Sequence, residues 1–155
     1  MAQDHERSET EQERLDRKWE EQLQELRVMQ TGVQLLAGFL LTLPFQSSFA
    51  DLDTMQRSLF LGLMATAAVT TLSVVMPVAV HRHLSGQHVK QRVFGAAQVA
   101  LLTAVTGVAL LVVGMVTLIF DVVVSRPASL TAGGLTAGLA VVLLLVVPRV
   151  LAERD

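Results

Sequence analysis

The sequence predicts an all-α fold: a bundle of four transmembrane helices with both termini cytoplasmic, and an N-terminal amphipathic cytoplasmic helix that continues into the first span. Three observations predict it. Four long apolar segments, at about residues 28–45, 59–80, 93–120 and 130–147, carry no Asp, Glu, Lys, Arg or His in their middles. At about 1.5 Å per residue, each covers most or all of a hydrocarbon core of about 30 Å. Charge is segregated: of the 26 Asp, Glu, Lys and Arg residues, 14 lie in the first 27 positions. The 12 basic residues also alternate along the chain. The N-terminal region, the second connector and the C-terminal tail hold ten of them, whereas the first and third connectors hold only Arg57 and Arg126. The positive-inside bias puts the ten in the cytoplasm. Both ends then share a side, which requires an even number of spans.

Residues 1–26 form a charged cytoplasmic segment and residues 27–152 the transmembrane domain. Ser8 with Glu11, or Thr10 with Glu13, has the spacing of a capping box that starts a helix. Leu15, Trp19, Leu23 and Leu26 follow as one apolar stripe, which Val33 extends into the first span. No Gly or Pro interrupts residues 10–31, so one helix is expected to enter the membrane unbroken. Two readings suit this segment: a helix lying at the membrane surface with Trp19 among the headgroups, or a docking helix that uses residues 8–27 to recruit a second copy or a membrane-protein partner. The acidic start does not fit a secretory signal peptide, which opens with a basic region.

Each span carries a stripe of small or polar residues. In the first it is Arg27, Thr31, Gln34, Gly38 and Thr42; in the second, Gly62, Thr66, Thr70, Ser73 and Pro77. In the third it is Thr103, Gly107, Gly114, Thr117 and Asp121, and in the fourth Thr131, Gly134 and Gly138. Small residues let membrane helices approach closely, and hydroxyls and amides bond between them. The expectation is that these faces turn inward. Gly38, Gly62, Gly107, Gly114, Gly134 and Gly138 are then the packing positions. Thr31, Gln34, Thr66, Thr70, Ser73, Gln98, Thr103, Thr117 and Asp121 form a candidate polar seam, with Asp121 near Arg126 at its outer mouth. Pro44 is expected to stop the first helix and Pro77 to kink the second, with Ser73 serving the disturbed turn.

The second connector holds His81, His83 and His88, a candidate pH or metal sensor. The alternation of His81 and His83 suits a strand-like ligand pair, but no carboxylate or Cys lies in this loop, so no metal site is assigned. Its cations anchor topology and meet lipid headgroups. The chain has no Cys, which excludes disulfides, thiolate metal sites and a cysteine nucleophile. A net charge of −2 argues against a nucleic-acid partner. There is no Tyr and one Trp, so Phe45, Phe49, Phe60, Phe94 and Phe120 near segment ends take the place of the aromatic belt. No nucleophile–base set, phosphate loop, HExxH or intramembrane carboxylate pair is present. The expectation is a non-enzyme with no cofactor.

The stretch 25–45, ELRVMQTGVQLLAGFLLTLPF, followed by Gln46 and Phe49 and joined to the VHRH segment at 80–83, resembles a family of small actinobacterial four-helix membrane proteins classed as a domain of unknown function. The resemblance covers roughly residues 15–150. It implies a bacterial plasma membrane location and a four-helix fold, and no activity. Some members carry the label sodium:proton antiporter. Exchanging ions are normally held at midplane carboxylates, and this chain has none, so the label is not carried over. The leading expectation is a membrane interaction, scaffold or accessory protein, in the lipid bilayer alone or as a homo-oligomer. The alternative is an oligomeric small cation or proton transporter or channel subunit using the Gln34 and threonine seam.

Overall fold

The structure, a computed structural model, describes residues 11–84 and 90–152. It is a four-transmembrane-helix bundle, with no strand among the described residues. Helix α1 spans Glu11–Thr42, α2 Thr54–Leu84, α3 Lys90–Val123 and α4 Arg126–Val141; α4 is prolonged through Val142–Val146 into α5, Val147–Ala152. The stretches long and apolar enough to cross a membrane are Gln24–Phe45, Thr54–Pro77, Gln98–Val123 and Arg126–Ala152. They agree with the sequence reading to within about five residues at each boundary. The first span and the charged segment before it are one helix, since α1 has no break at Arg27. Pro44 ends it as expected: α1 stops at Thr42 and the chain enters a 3-10 turn at Leu43–Phe45.

Helix α3 is the centre. It lies against α1, α2 and α4, and α1 also touches α2, but among the described residues α4 packs on no long helix other than α3. Each helix buries one narrow seam. On α2 it is Phe60, Leu63, Ala67, Thr70, Val74 and Pro77; on α3, Ala100, Ala104, Gly107, Leu111, Met115 and Leu118. Steps of three and four are those of helices packing at a shallow angle over many turns. Helix α1 presents Leu26, Val33 and Leu40, each two turns from the next. One apolar cluster gathers Leu40, Phe60, Leu63, Leu111 and Leu118. A second, towards the other end, gathers Leu26, Val74, Ala100 and Ala104. Between them in register stand the buried Val33, Thr70 and Gly107.

Three glycines make close approaches. A Cβ on Gly107 would run into the Thr70 hydroxyl, one on Gly114 into the Leu63 side chain, and one on Gly133 into the Thr117 hydroxyl. Gly107 and Gly114 are packing positions read from the sequence. Gly38, Gly62, Gly134 and Gly138 are not: each has open space where a Cβ would stand. On α4 the contact belongs to Gly133 and to Ser129, both buried. The Ser129 hydroxyl donates to the Thr117 carbonyl at 2.9 Å, a hydrogen bond between α3 and α4. One residue is about 100° of helix rotation, so the α4 interface is turned by that much from the Gly134–Gly138 face.

Both intrahelical prolines are absorbed locally. Helix α2 continues unbroken through Pro77, which is fully buried. Ser73 does not serve the Pro77 turn, because its hydroxyl donates to Val69 O at 2.8 Å. In the fourth span, Val147 N–H donates to Val142 O, five residues back, opening a π-turn one residue before Pro148. Pro148 has no N–H for the carbonyl four residues earlier, and its ring needs room there. The widened turn supplies that room.

The close contact at Gly107 gives a direct test. Gly107→Ala drives a methyl into a β-branched neighbour in a filled interface, and is expected to destabilise the fold by about 1–3 kcal/mol. Gly62→Ala points into open space and is expected to be neutral or slightly stabilising through helix propensity. Unfolding midpoints of both variants in mild detergent check the pair.

Candidate functional site

The nine residues of the candidate seam do not share one inward face. Gln34, Gln98 and Thr31 are exposed on the outside of their helices, and only Thr70 is buried. The expectation that polar stripes face inward fails most clearly on α1. Arg27, Thr31, Gln34, Gly38 and Thr42 all lie on its outer side. Its apolar stripe took the interior, because Leu26, Val33 and Leu40 fill the space beside α2 and α3.

The hydroxyls are turned onto their own backbones. Thr66 donates to Gly62 O at 2.8 Å, Thr70 to Thr66 O at 2.7 Å, Thr103 to Val99 O at 2.8 Å and Thr117 to Val113 O at 2.7 Å. Thr31 and Thr42 on the α1 stripe bond Arg27 O and Phe39 O in the same way. A hydroxyl has one proton to donate, so these six have none left to offer a ligand. Gln34 differs. Among the described residues its amide has no hydrogen-bond partner, and it sits midway along the Gln24–Phe45 span. An unpaired amide in hydrocarbon costs about 2–7 kcal/mol on transfer scales. Gln98 begins the third span, where headgroups and water are within reach.

Asp121 belongs to a polar cluster that joins three helices at one end of the bundle. Its carboxylate accepts from Gln56 Nε2 at 2.7 Å and from Arg126 Nε at 3.3 Å. The Arg126 guanidinium also reaches Asp53 at 2.5 Å. Asp53 and Gln56 form a reciprocal cap at the start of α2: Gln56 N–H donates to Asp53 Oδ1 at 2.8 Å, and Asp53 N–H to Gln56 Oε1 at 2.9 Å. Arg126 opens α4, whose N-cap Ser125 accepts from Ala128 N–H. The cluster therefore ties the start of α2, the end of α3 and the start of α4. Asp121 is only 10% exposed, against 48% and 49% for the Arg126 and Asp53 side chains. Asp121 and its neighbour Arg126 were legible; Asp53 and Gln56 were missed, although their D-x-x-Q spacing before an apolar run is a helix-start signal.

Below this cluster, beside the end of α3, lies an apolar pocket of about 280 Å³ lined by Leu40, Leu43, Phe49, Met115 and Leu118. Phe49, from the 3-10 turn Ser47–Asp51, packs edge-on to Phe60 with ring centroids 5.1 Å apart. Two open grooves run along α3. One, against α2, is lined by Thr66, Thr70, Leu102, Thr103 and Gly107. The other, towards α4, is lined by Met29, Val108, Ala109, Val112 and Ala140. Both are mostly apolar, as lipid-facing furrows are.

His81 and His83 stand in helical backbone at the end of α2, not in a strand-like connector. His88 lies outside the described residues. Among those residues no group of three His, Cys, Asp or Glu has the arrangement of a metal site.

The cap at α2 has a pH consequence. The Gln56 backbone N–H, and then the Arg126 guanidinium, hold the Asp53 carboxyl below its ordinary value of 3.8. A depressed carboxyl stabilises the fold fully above its unfolded value and loses that contribution as pH falls through the folded one. Stability should therefore be insensitive to Asp53 from pH 7 to 5 and drop below about pH 4. Asp53→Asn keeps a capping oxygen and should reduce the acid-induced drop, as read from thermal unfolding between pH 7 and 2.5.

No curated protein and no solved structure shows a significant match to this sequence. Residues 8–148 match the model of DUF6328, a family of unknown function. That match covers α1, the first three spans and all but the last four residues of the fourth, and the chain belongs to the DUF6328 family.

Proposed function

We propose that this multi-pass membrane protein is a non-enzymatic interaction protein of the bacterial plasma membrane, a scaffold or accessory subunit with both termini in the cytoplasm. The carrying observation is the outward polar face of α1, with an unpaired amide at mid-span. A polar group on the lipid-facing side of a helix serves a neighbour better than it serves a path through the same chain. The charged part of α1 adds to this. Glu11–Leu23 precedes the first span and projects about 20 Å beyond it as continuous helix, offering a docking surface in water. Arg57 and Arg126 lie at the opposite end of the bundle from Arg27, Lys90, Arg92 and Arg149, which suits a cytoplasmic N-terminus.

The competing reading is an oligomeric cation or proton transporter with Asp121 at its mouth. Asp121 is held by Gln56 and Arg126, and the threonine protons are committed to backbone carbonyls. Proteoliposomes holding the purified protein, challenged with Na⁺, K⁺ and Li⁺ against a pH gradient, separate the two. The expected outcome is no exchange above empty vesicles. Exchange abolished by Asp121→Asn would overturn the interaction reading. In mild detergent, a stable complex weakened by deletion of residues 1–24 is expected; a monomer indifferent to that deletion would count against it.

A further inference from the structure

We propose that the outer face of α1 is a self-association surface, on which Gln34 pairs with Gln34 of a second copy at the middle of the membrane. The proposal rests on the interaction reading above and names its partner. Gln34 is exposed, has no hydrogen-bond partner among the described residues, and lies at the centre of the Gln24–Phe45 span. The hydroxyls of Thr31 and Thr42 on the same face are already bonded to their own helix. Gln34 is therefore the group left in need of a donor and an acceptor, and no water reaches that depth.

A second copy of this chain meets that need by chemistry and by geometry. A primary amide carries both a carbonyl acceptor and N–H donors, so it complements itself. Copies inserted by the same topogenic charges have the same orientation. In a parallel pair related by a twofold axis along the membrane normal, each Gln34 meets its counterpart at equal depth. Gly38, one turn away, has nothing within 4 Å of a would-be Cβ, so a neighbouring backbone can come close beside the amides. Thr31, Gln34, Gly38 and Thr42 recur at steps of three and four, the spacing of a two-helix seam. The interior seam of α1, Leu26, Val33 and Leu40, is already occupied by α2 and α3, so the two faces do not compete.

The chain has no Cys, so single-cysteine variants report proximity without background. In native membranes Gly38→Cys is expected to form a cross-linked dimer. Leu61→Cys and Leu135→Cys, exposed on α2 and α4, are expected to remain monomeric. Energy transfer between labelled copies across a lipid-dilution series gives the dimer affinity. Gln34→Leu is expected to weaken it by roughly three- to thirty-fold, and Gln34→Asn to retain part of it. Because position 34 faces outward and is no part of the packing within the chain, the leucine variant should fold with an unfolding midpoint no lower than that of the wild type when both are diluted to monomers. A dimer that persists unweakened in Gln34→Leu, or that cross-links through Leu135→Cys instead, overturns this proposal and leaves the interaction reading standing. A monomeric wild type that captures a different protein through Gln34 also overturns self-pairing and again spares that reading. A monomeric wild type with no partner dependent on Gln34 or on residues 1–24 overturns both.

Discussion

Apolar helices gain little from burying leucine against one another when lipid tails are equally apolar, so a membrane bundle must be held by close approach and by polar contacts made only between helices. Here that constraint falls on α3. Gly107 admits Thr70, Gly114 admits Leu63, and Thr117 is met by Gly133 and by the Ser129 hydroxyl. Every other long helix in the bundle packs against this one element, and α1 also touches α2 directly. The absence of side chains at two α3 positions lets α2 sit near enough for Thr70 and Leu63 to fill the gap. The same trade on α4 is made by Gly133, opposite a threonine of α3. Dispersion at these short separations, summed over many atoms, replaces the solvent-driven burial of a soluble core.

The polar cluster at the α2 start complements that packing with direction. Asp53 caps α2, Arg126 opens α4, and Asp121 closes α3, so three helix ends share one set of charges. Its placement at one end leaves the spans without an ionised group in their middles. Within them most of the threonine hydroxyls are satisfied by carbonyls one turn back, which suits helices that sit in hydrocarbon. The charged cluster fixes the relative height of α2, α3 and α4; the glycine contacts fix their separation.

Most of this fold is legible in the sequence, because hydrocarbon imposes so strong a rule. Span number, approximate boundaries and the continuity of α1 follow from apolar length and from the missing Gly and Pro between residues 10 and 31. What pattern alone does not resolve is rotation about each helix axis. Small residues at 62, 66, 70, 73 and 77 and buried residues at 63, 67, 70, 74 and 77 occupy neighbouring stripes, and only Thr70 and Pro77 are common to both. The difference between Gly134 and Gly133 is one position, about 100°. In a soluble helix the polar side identifies itself by facing water; in a membrane helix both sides are apolar, and the few polar residues can serve the bundle or a neighbour. On α1 the apolar stripe Leu26–Val33–Leu40, readable as a continuation of the N-terminal stripe, was the truer guide than Gln34. The π-turn before Pro148 is not legible in the same way, because Pro77 also stands within an apolar run and α2 continues through it as α-helix.

The two faces of α1 express one division of labour. Its inner face has large aliphatic side chains two turns apart, which suits permanent packing against α2 and α3. Its outer face concentrates what membrane helices use to recognise one another: an amide, two threonines and a glycine with open space beside it. If that face met only lipid, Gln34→Leu would be favourable for the monomer, since it removes an unsatisfied amide from hydrocarbon. An amide that disfavours the isolated chain and favours a paired one shifts the balance towards assembly. It does so without weakening the fold, because no residue of the α3-centred packing lies on that side of the helix.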